Sequence, residues 1–211
     1  MADFVGLAFD LAFKYRNPAI ILADGVIGQM MEKVVLPEQR PRLTNEEVMA
    51  RCPWATFGKL KHRGPNIVTS LELDPAEMEK RNIHLQQKYA EIEEKEVRYE
   101  EIHCDDAEYL IVAFGSCARI AQKAMEEARA EGIKVGLLRP ITLWPFPSKA
   151  IAERSRQVKG ILTVELNAGQ MVEDVRLAVE CKVPVEYFGR LGGIVPDPDE
   201  VVTALKEKII K

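Results

Sequence analysis

Apolar positions change period repeatedly along these 211 residues, and the changes mark its elements. Phe4, Leu7, Ala8, Leu11 and Ala12 recur at three- and four-residue spacing, which predicts a helix over 3–15. Asn17-Pro18 ends it, and the uniformly apolar A19-I-I-L-A23 predicts a short strand that stops at Asp24-Gly25. Residues 36–72 carry Pro37, Pro41, Pro53 and Pro65 and read as an extended connection, anchored by Trp54 and Phe57. Asp74-Pro75-Ala76-Glu77 is a helix start: an Asp cap, Pro in the first turn, Glu three residues on. Met78, Leu85, Tyr89, Ile92 and Tyr99 then predict one amphipathic helix over about 75–102.

From residue 109 the pattern becomes regular. Strands are expected at 109–114, 134–138, 160–164 and 183–187, and helices at 117–131, 147–158, 170–180 and 198–210. Gly132 sits where a helix should end, and Asp197-Pro198-Asp199-Glu200 repeats the earlier cap signature. Short apolar strands alternating with helices imply an α/β fold with a doubly wound, mostly parallel sheet. The reading gives three parts: 1–35, 36–106 and 107–211. One helix and one all-apolar strand cannot enclose a core, so 1–35 reads as a piece of a larger α/β domain.

Composition narrows the function classes. The net charge of -4 leaves no basic footprint for nucleic acid. No apolar run is long enough to span a bilayer, and the N-terminus lacks a signal-peptide pattern. Cys52, Cys104, Cys117 and Cys181 lack C-x-x-C spacing, which argues against an iron–sulfur or zinc site in this chain and suits a reducing cytoplasm. His62, His84 and His103 have no shared-ligand spacing, and His84 falls off the apolar stripe.

In an open parallel sheet, ligands bind outside the carboxyl ends of the strands. Four loops should lie there. Gly115-Ser116-Cys117, with Arg119 near, is either a possible anion site at a helix start or a plain cap by Ser116. Cys117 is either an activated thiol or a small core residue. R139-P-I-T-L-W-P-F146 is a stiff aromatic loop, an interface through Trp144 and Phe146 or a plug on the sheet edge. Glu165, Asn167 and Gln170 meet a ligand or partner, or bond the turn. Arg190, among Gly189, Gly192 and Gly193, pairs with a phosphate or with an interface carboxylate. No G-x-G-x-x-G, H-E-x-x-H or Ser-His-Asp arrangement is present.

The ordered segments K14-Y-R-N-P18, I21-L-A-D-G-V-I-G-Q-M30, R139-P-I-T-L-W-P-F146, N167-A-G-Q-M-V-E-D-V-R-L-A178 and V183-P-V-E-Y-F-G-R-L-G-G193 resemble alpha subunits of 2-oxoacid:ferredoxin oxidoreductases. The branched-chain (2-oxoisovalerate) type is the nearest resemblance, and only its C-terminal portion is matched. The resemblance implies that 1–35 is the end of a pyrimidine-binding domain for thiamine diphosphate (ThDP), that 36–106 is a linker with a long helix, and that 107–211 is a transketolase C-terminal-like domain. It implies partners: a ThDP-binding beta subunit, a gamma subunit and a ferredoxin-like subunit. The complete complex would hold ThDP, Mg²⁺ and iron–sulfur clusters, and would oxidise a 2-oxoacid to acyl-CoA with ferredoxin as acceptor.

The family's catalytic glutamate has no counterpart in this sequence. The resemblance therefore assigns no catalytic residue, no metal ligand and no cofactor bound by this chain alone, and makes it a scaffold. Asp24, Gln29, Trp144, Phe146, Asn167, Gln170 and Arg190 are the interface candidates. The isolated chain is expected to self-associate through Phe4, Leu7, Leu11 and Ile21. The alternative is a free-standing ligand-binding or regulatory module of the same fold.

Overall fold

A computed structural model describes residues 1–58, 61 and 64–210. His62 and most of the basic cluster around it lie outside the described residues. The chain forms two compact units: Met1–Ile21 with Glu32–Gln87, and Leu22–Met31 with Lys88–Lys211. This division differs from 1–35, 36–106 and 107–211: Leu22–Met31 and residues 88–106 group with the C-terminal residues, and Glu32–Gln87 with the N-terminal ones.

In the first unit, α1 (Ala2–Tyr15) turns Phe4, Leu7 and Leu11 inward to half-buried positions. Met1, Val5, Phe9 and Phe13 form an exposed i, i+4 stripe on the other side, so of the residues expected for self-association Phe4, Leu7 and Leu11 are not on the exposed face, while Ile21 is exposed. Trp54 lies 5.8 Å from the Phe13 ring, with the Arg16 guanidinium 4.8 Å from its centroid, which anchors the connection as expected. Arg40 donates to both oxygens of Asp10 at 2.5 and 2.8 Å. A helix missing from the sequence reading, α3 (Asn45–Arg51), starts on a capping box between Thr44 and Glu47.

The expected strand at 19–23 does not form. A strand exists by pairing, and no β-partner for these residues occurs among the described ones; Ile20 stays 80% exposed and Leu22 69%. The next residues form a short helix, α2 (Gly25–Gln29), capped by Asp24 Oδ1, which accepts from Ile27 N at 2.8 Å.

The long helix α4 (Pro75–Lys95) opens on Asp74 Oδ1, which accepts from Ala76 N at 2.8 Å. It ends seven residues before its expected end at 102. Tyr99–Ile102 is instead β1, antiparallel to the outer strand of the sheet. Pairing satisfies an edge that would otherwise stay open, which outweighs the local helical pattern.

The second unit is built on a five-stranded sheet, completed by β2 (Tyr109–Ala113), β3 (Val135–Pro140), β4 (Ile161–Glu165) and β5 (Val185–Gly189), in the order β1-β3-β2-β4-β5. All pairs except β1–β3 are parallel. Side chains alternate between two cores. Ile111, Ala113, Leu137, Leu162 and Val164 pack with α5 (Gly115–Ala130) and α8 (Pro198–Leu205). Leu110, Val112, Leu138 and Ile161 pack with α6 (Ser148–Ser155) and α7 (Met171–Val179). The helix expected at 198–210 is α-helical to Leu205 and closes in a π-helical turn, Lys206–Ile210. Arg154 on α6 donates to Glu101 at 3.0 and 2.5 Å and so clamps β1.

Candidate functional site

β2 and β4 are neighbours, yet their following helices, α5 and α7, cover opposite faces of the sheet. That arrangement is a topological switch point, and it opens a crevice between the two carboxyl ends. The loops that border it are Phe114–Ser116 and Leu166–Gln170.

Glu165 ends β4 and is 1% exposed. A buried carboxylate is costly unless its lone pairs are filled. Here Oε2 accepts from Met171 N at 2.8 Å and Gln170 N at 3.2 Å, and Oε1 accepts from Val172 N at 3.0 Å. The side chain therefore satisfies the first donors of α7 and places a negative charge at the positive end of that helix. Asn167 Oδ1 accepts from Gly169 N at 2.7 Å and Gln170 N at 3.2 Å, an Asx turn. Gly169 has φ +99°, and an added Cβ would lie 3.2 Å from Val172 Cγ1. The Tyr187 hydroxyl donates to the Asn167 carbonyl. Burial, then the nearby Glu165 and Cys117, raise the Tyr187 pKa.

On the other border, Gly115 has φ +58° and Phe114 holds the N-cap position of α5 without a side-chain cap bond. Ser116 does not cap that helix. Its hydroxyl donates to Asp24 Oδ2 at 2.6 Å, across 92 residues of sequence. Arg119 is exposed on α5. Cys117 is buried, and burial, then Asp24 and Glu165, push its thiol up to about 12. It is a protonated core residue rather than an activated thiol. Cys104 is likewise buried, with its thiol pushed up to about 11, mainly by burial.

The remaining interface candidates are dispersed. Trp144 is 52% exposed and meets Tyr89 edge-on at 5.7 Å, while Phe146 is half-buried against the α6–α7 core. Gln29 and Gln170 are exposed, the latter with its side chain outside the turn its backbone completes. Arg190 pairs with Glu200, whose other oxygen accepts from Asp197 N at 3.1 Å in the cap of α8. Its partner is thus a carboxylate of the same chain, in place of the expected phosphate or interface carboxylate. Two contacts escape sequence reading, Asp24 with Ser116 and Arg154 with Glu101, since nothing local marks either. Among the described residues no three His, Cys, Asp or Glu side chains converge as a metal site. No helix among them is long and apolar enough to cross a membrane. Chemically, the thiol beside the crevice is protonated, and its buried carboxylate is committed to backbone donors.

Residues 107–201 match the pyruvate:ferredoxin oxidoreductase core domain II. The chain is 46% identical to ketoisovalerate oxidoreductase subunit VorB of Methanothermobacter thermautotrophicus, over 98% of this chain and 57% of that protein. It is 31% identical to 2-oxoglutarate synthase subunit KorA of Archaeoglobus fulgidus, over 90% of this chain and 53% of that one. The chain thus spans little more than half the length of these curated relatives. A solved 2-oxoglutarate:ferredoxin oxidoreductase from Magnetococcus marinus, with 2-oxoglutarate, coenzyme A and succinyl-CoA bound, shares the fold at a TM-score of 0.57 and 24% identity, covering 64% of this chain and 24% of that one. With a core domain II on its doubly wound sheet and such relatives along nearly its whole length, the chain belongs to the family of 2-oxoacid oxidoreductase subunits.

Proposed function

We propose that this chain is a scaffold and interface portion of a ThDP-dependent 2-oxoacid:ferredoxin oxidoreductase acting on a branched-chain 2-oxoacid. The observation that carries this reading is the 46% identity to a ketoisovalerate oxidoreductase subunit across 98% of the chain. The complete enzyme would decarboxylate the 2-oxoacid, pass two electrons to ferredoxin and give the acyl group to coenzyme A. The chain's partners would be a ThDP-binding beta subunit, a gamma subunit and a ferredoxin-like subunit, in the cytoplasm.

The residues present do not fit a Mg²⁺–diphosphate pair. Among the described residues no metal-ligand cluster forms, and the buried carboxylate at the switch point already holds three backbone N–H groups. The proposal therefore gives the cofactor to the rest of the complex. To this chain it gives the exposed Trp144, Gln29 and Gln170 as contacts with neighbouring subunits, while Asp24, Asn167 and Arg190 shape the loops that present them. In isolation, a second copy would cover the Met1, Val5, Phe9 and Phe13 stripe.

Co-expression with the ThDP-binding subunit tests the reading. Co-purification, with 2-oxoisovalerate-dependent reduction of ferredoxin by the assembled complex, is expected. Calorimetric titration of the isolated chain with ThDP and Mg²⁺ should show no micromolar binding. Such binding, or failure to co-purify, would favour a free-standing ligand-binding module instead.

A further inference from the structure

The segment Leu22–Met31 belongs by its contacts to the C-terminal unit, although the chain on both sides of it belongs to the other. Its own helix, α2, is five residues long. Helices of that length do not persist in water on their own. Gly28 N to Asp24 O at 3.3 Å and Met30 N to Val26 O at 3.1 Å close the two ends of α2 locally. Its apolar anchoring is modest, with Val26 and Ile27 half-buried and Leu22 and Met30 exposed. Gly25 and Gly28 have no atom near enough to touch an added Cβ.

One carboxylate performs both structural tasks in this segment. Asp24 Oδ1 caps α2, and Oδ2 accepts the Ser116 hydroxyl at 2.6 Å, at the start of α5. The same contact sets a negative charge beside the N-terminus of α5, where a helix favours one. The carboxylate also lies close enough to Cys117 to raise its thiol pKa further.

We propose that Leu22–Met31 is a strap over the start of α5, latched by the Asp24–Ser116 hydrogen bond, and that it opens as a local unit while the sheet stays folded. The design follows from where the bonds are. The strap is stabilised by local bonds of its short helix and by the charge-assisted Asp24–Ser116 bond to the sheet domain, whereas β2 is paired on both sides. Segments with few buried apolar contacts open at low free energy, independently of the core. Opening uncovers one border of the switch-point crevice, so the latch sets how often that border is presented to solvent or to a neighbour.

Residue-resolved hydrogen exchange on the full chain tests this. Ser116→Ala removes only the latch, since alanine is a good helix former in α5. The Ile27, Gly28 and Met30 amides should exchange about tenfold faster, the loss expected for a bond to a charged acceptor. The Leu110–Ala113 amides should keep their wild-type rates. Asp24→Asn keeps an oxygen for the α2 cap and loses the charge, so it should give a smaller acceleration at the same amides. Strap rates within about twofold of wild type in Ser116→Ala, or strap and β2 amides rising together, would overturn the proposal.

Discussion

Two apolar pentapeptides of nearly the same local character meet opposite fates. Ile161-Leu-Thr-Val-Glu165 is β4, wholly buried and paired on both sides. Ala19-Ile-Ile-Leu-Ala23 is unpaired and largely exposed. Local composition supplies the propensity to extend, and the topology supplies the neighbour. A strand is therefore a property of the sheet rather than of its own residues.

The contrast is broken most directly by truncation in each segment. Leu162→Ala should cost about 3 kcal/mol, because it empties a close-packed site between β4 and α5. Leu22→Ala should change stability by less than about 0.5 kcal/mol. Denaturant midpoints measure both, and similar losses would show that 19–23 is covered in solution.

The next effect sharpens the comparison at the end of β4. Glu165→Ala should cost about 2 kcal/mol by leaving buried donors of α7 unpaired, and Glu165→Gln about half that, since one amide oxygen still accepts. Gln170→Ala, an exposed side chain in the same turn, should be neutral by the same thermal melts.

Alkaline titration separates buried from exposed positions more gently. The thiols of Cys104 and Cys117 are raised from 9.0 to about 11 and about 12 in the folded chain. Between the ordinary thiol range and those values, the unfolded state releases protons that the folded state keeps, so stability should fall as pH rises through that window. The exposed Cys181 should react with a thiol reagent at pH 8 before either of them. Equal reactivity of Cys117 would show that the core around β2 opens. At the acid end, Arg129 and Lys159 hold Asp106 and Glu108 below the usual carboxylate range. Their small contribution is present above that range and should fade as pH falls through it, and added salt should weaken it.

The smallest effect belongs to the exposed stripe of α1. Phe9→Ser should leave the melting temperature almost unchanged, because the ring is 63% exposed. Sedimentation across a concentration series should nevertheless shift toward monomer. An unchanged distribution would show that this stripe does not mediate self-association.

These contrasts explain what the sequence made legible. The four parallel strands and their helices were readable because each carries its own signal: an apolar run, a cap, a glycine at the exit. Asp74, Asp197 and Gly132 announced their boundaries through local chemistry. β1 was hidden inside a helical pattern, because its strand character comes from the edge of β3. The Thr44–Glu47 capping box was present in T-N-E-E and would have revealed α3 within its proline-rich surroundings. At the crevice, the candidate loops were legible as loops after strands. The roles of Ser116 and Arg190 were not, since their partners, Asp24 and Glu200, are chosen by folding.

Glu165 also restricts how this protein can change over time. Its two oxygens reach the amides of residues 170, 171 and 172, so the spacing from 165 to the helix is part of the bond. Length variation in 166–169 would withdraw several donors at once, whereas the exposed side chains of Ala168 and Gln170 can be exchanged singly. Divergence at this border of the crevice should therefore run through substitution and avoid insertion. A library of single-residue insertions and substitutions across 166–170, sorted for folded protein, would reveal that asymmetry as a gap at the insertions alone.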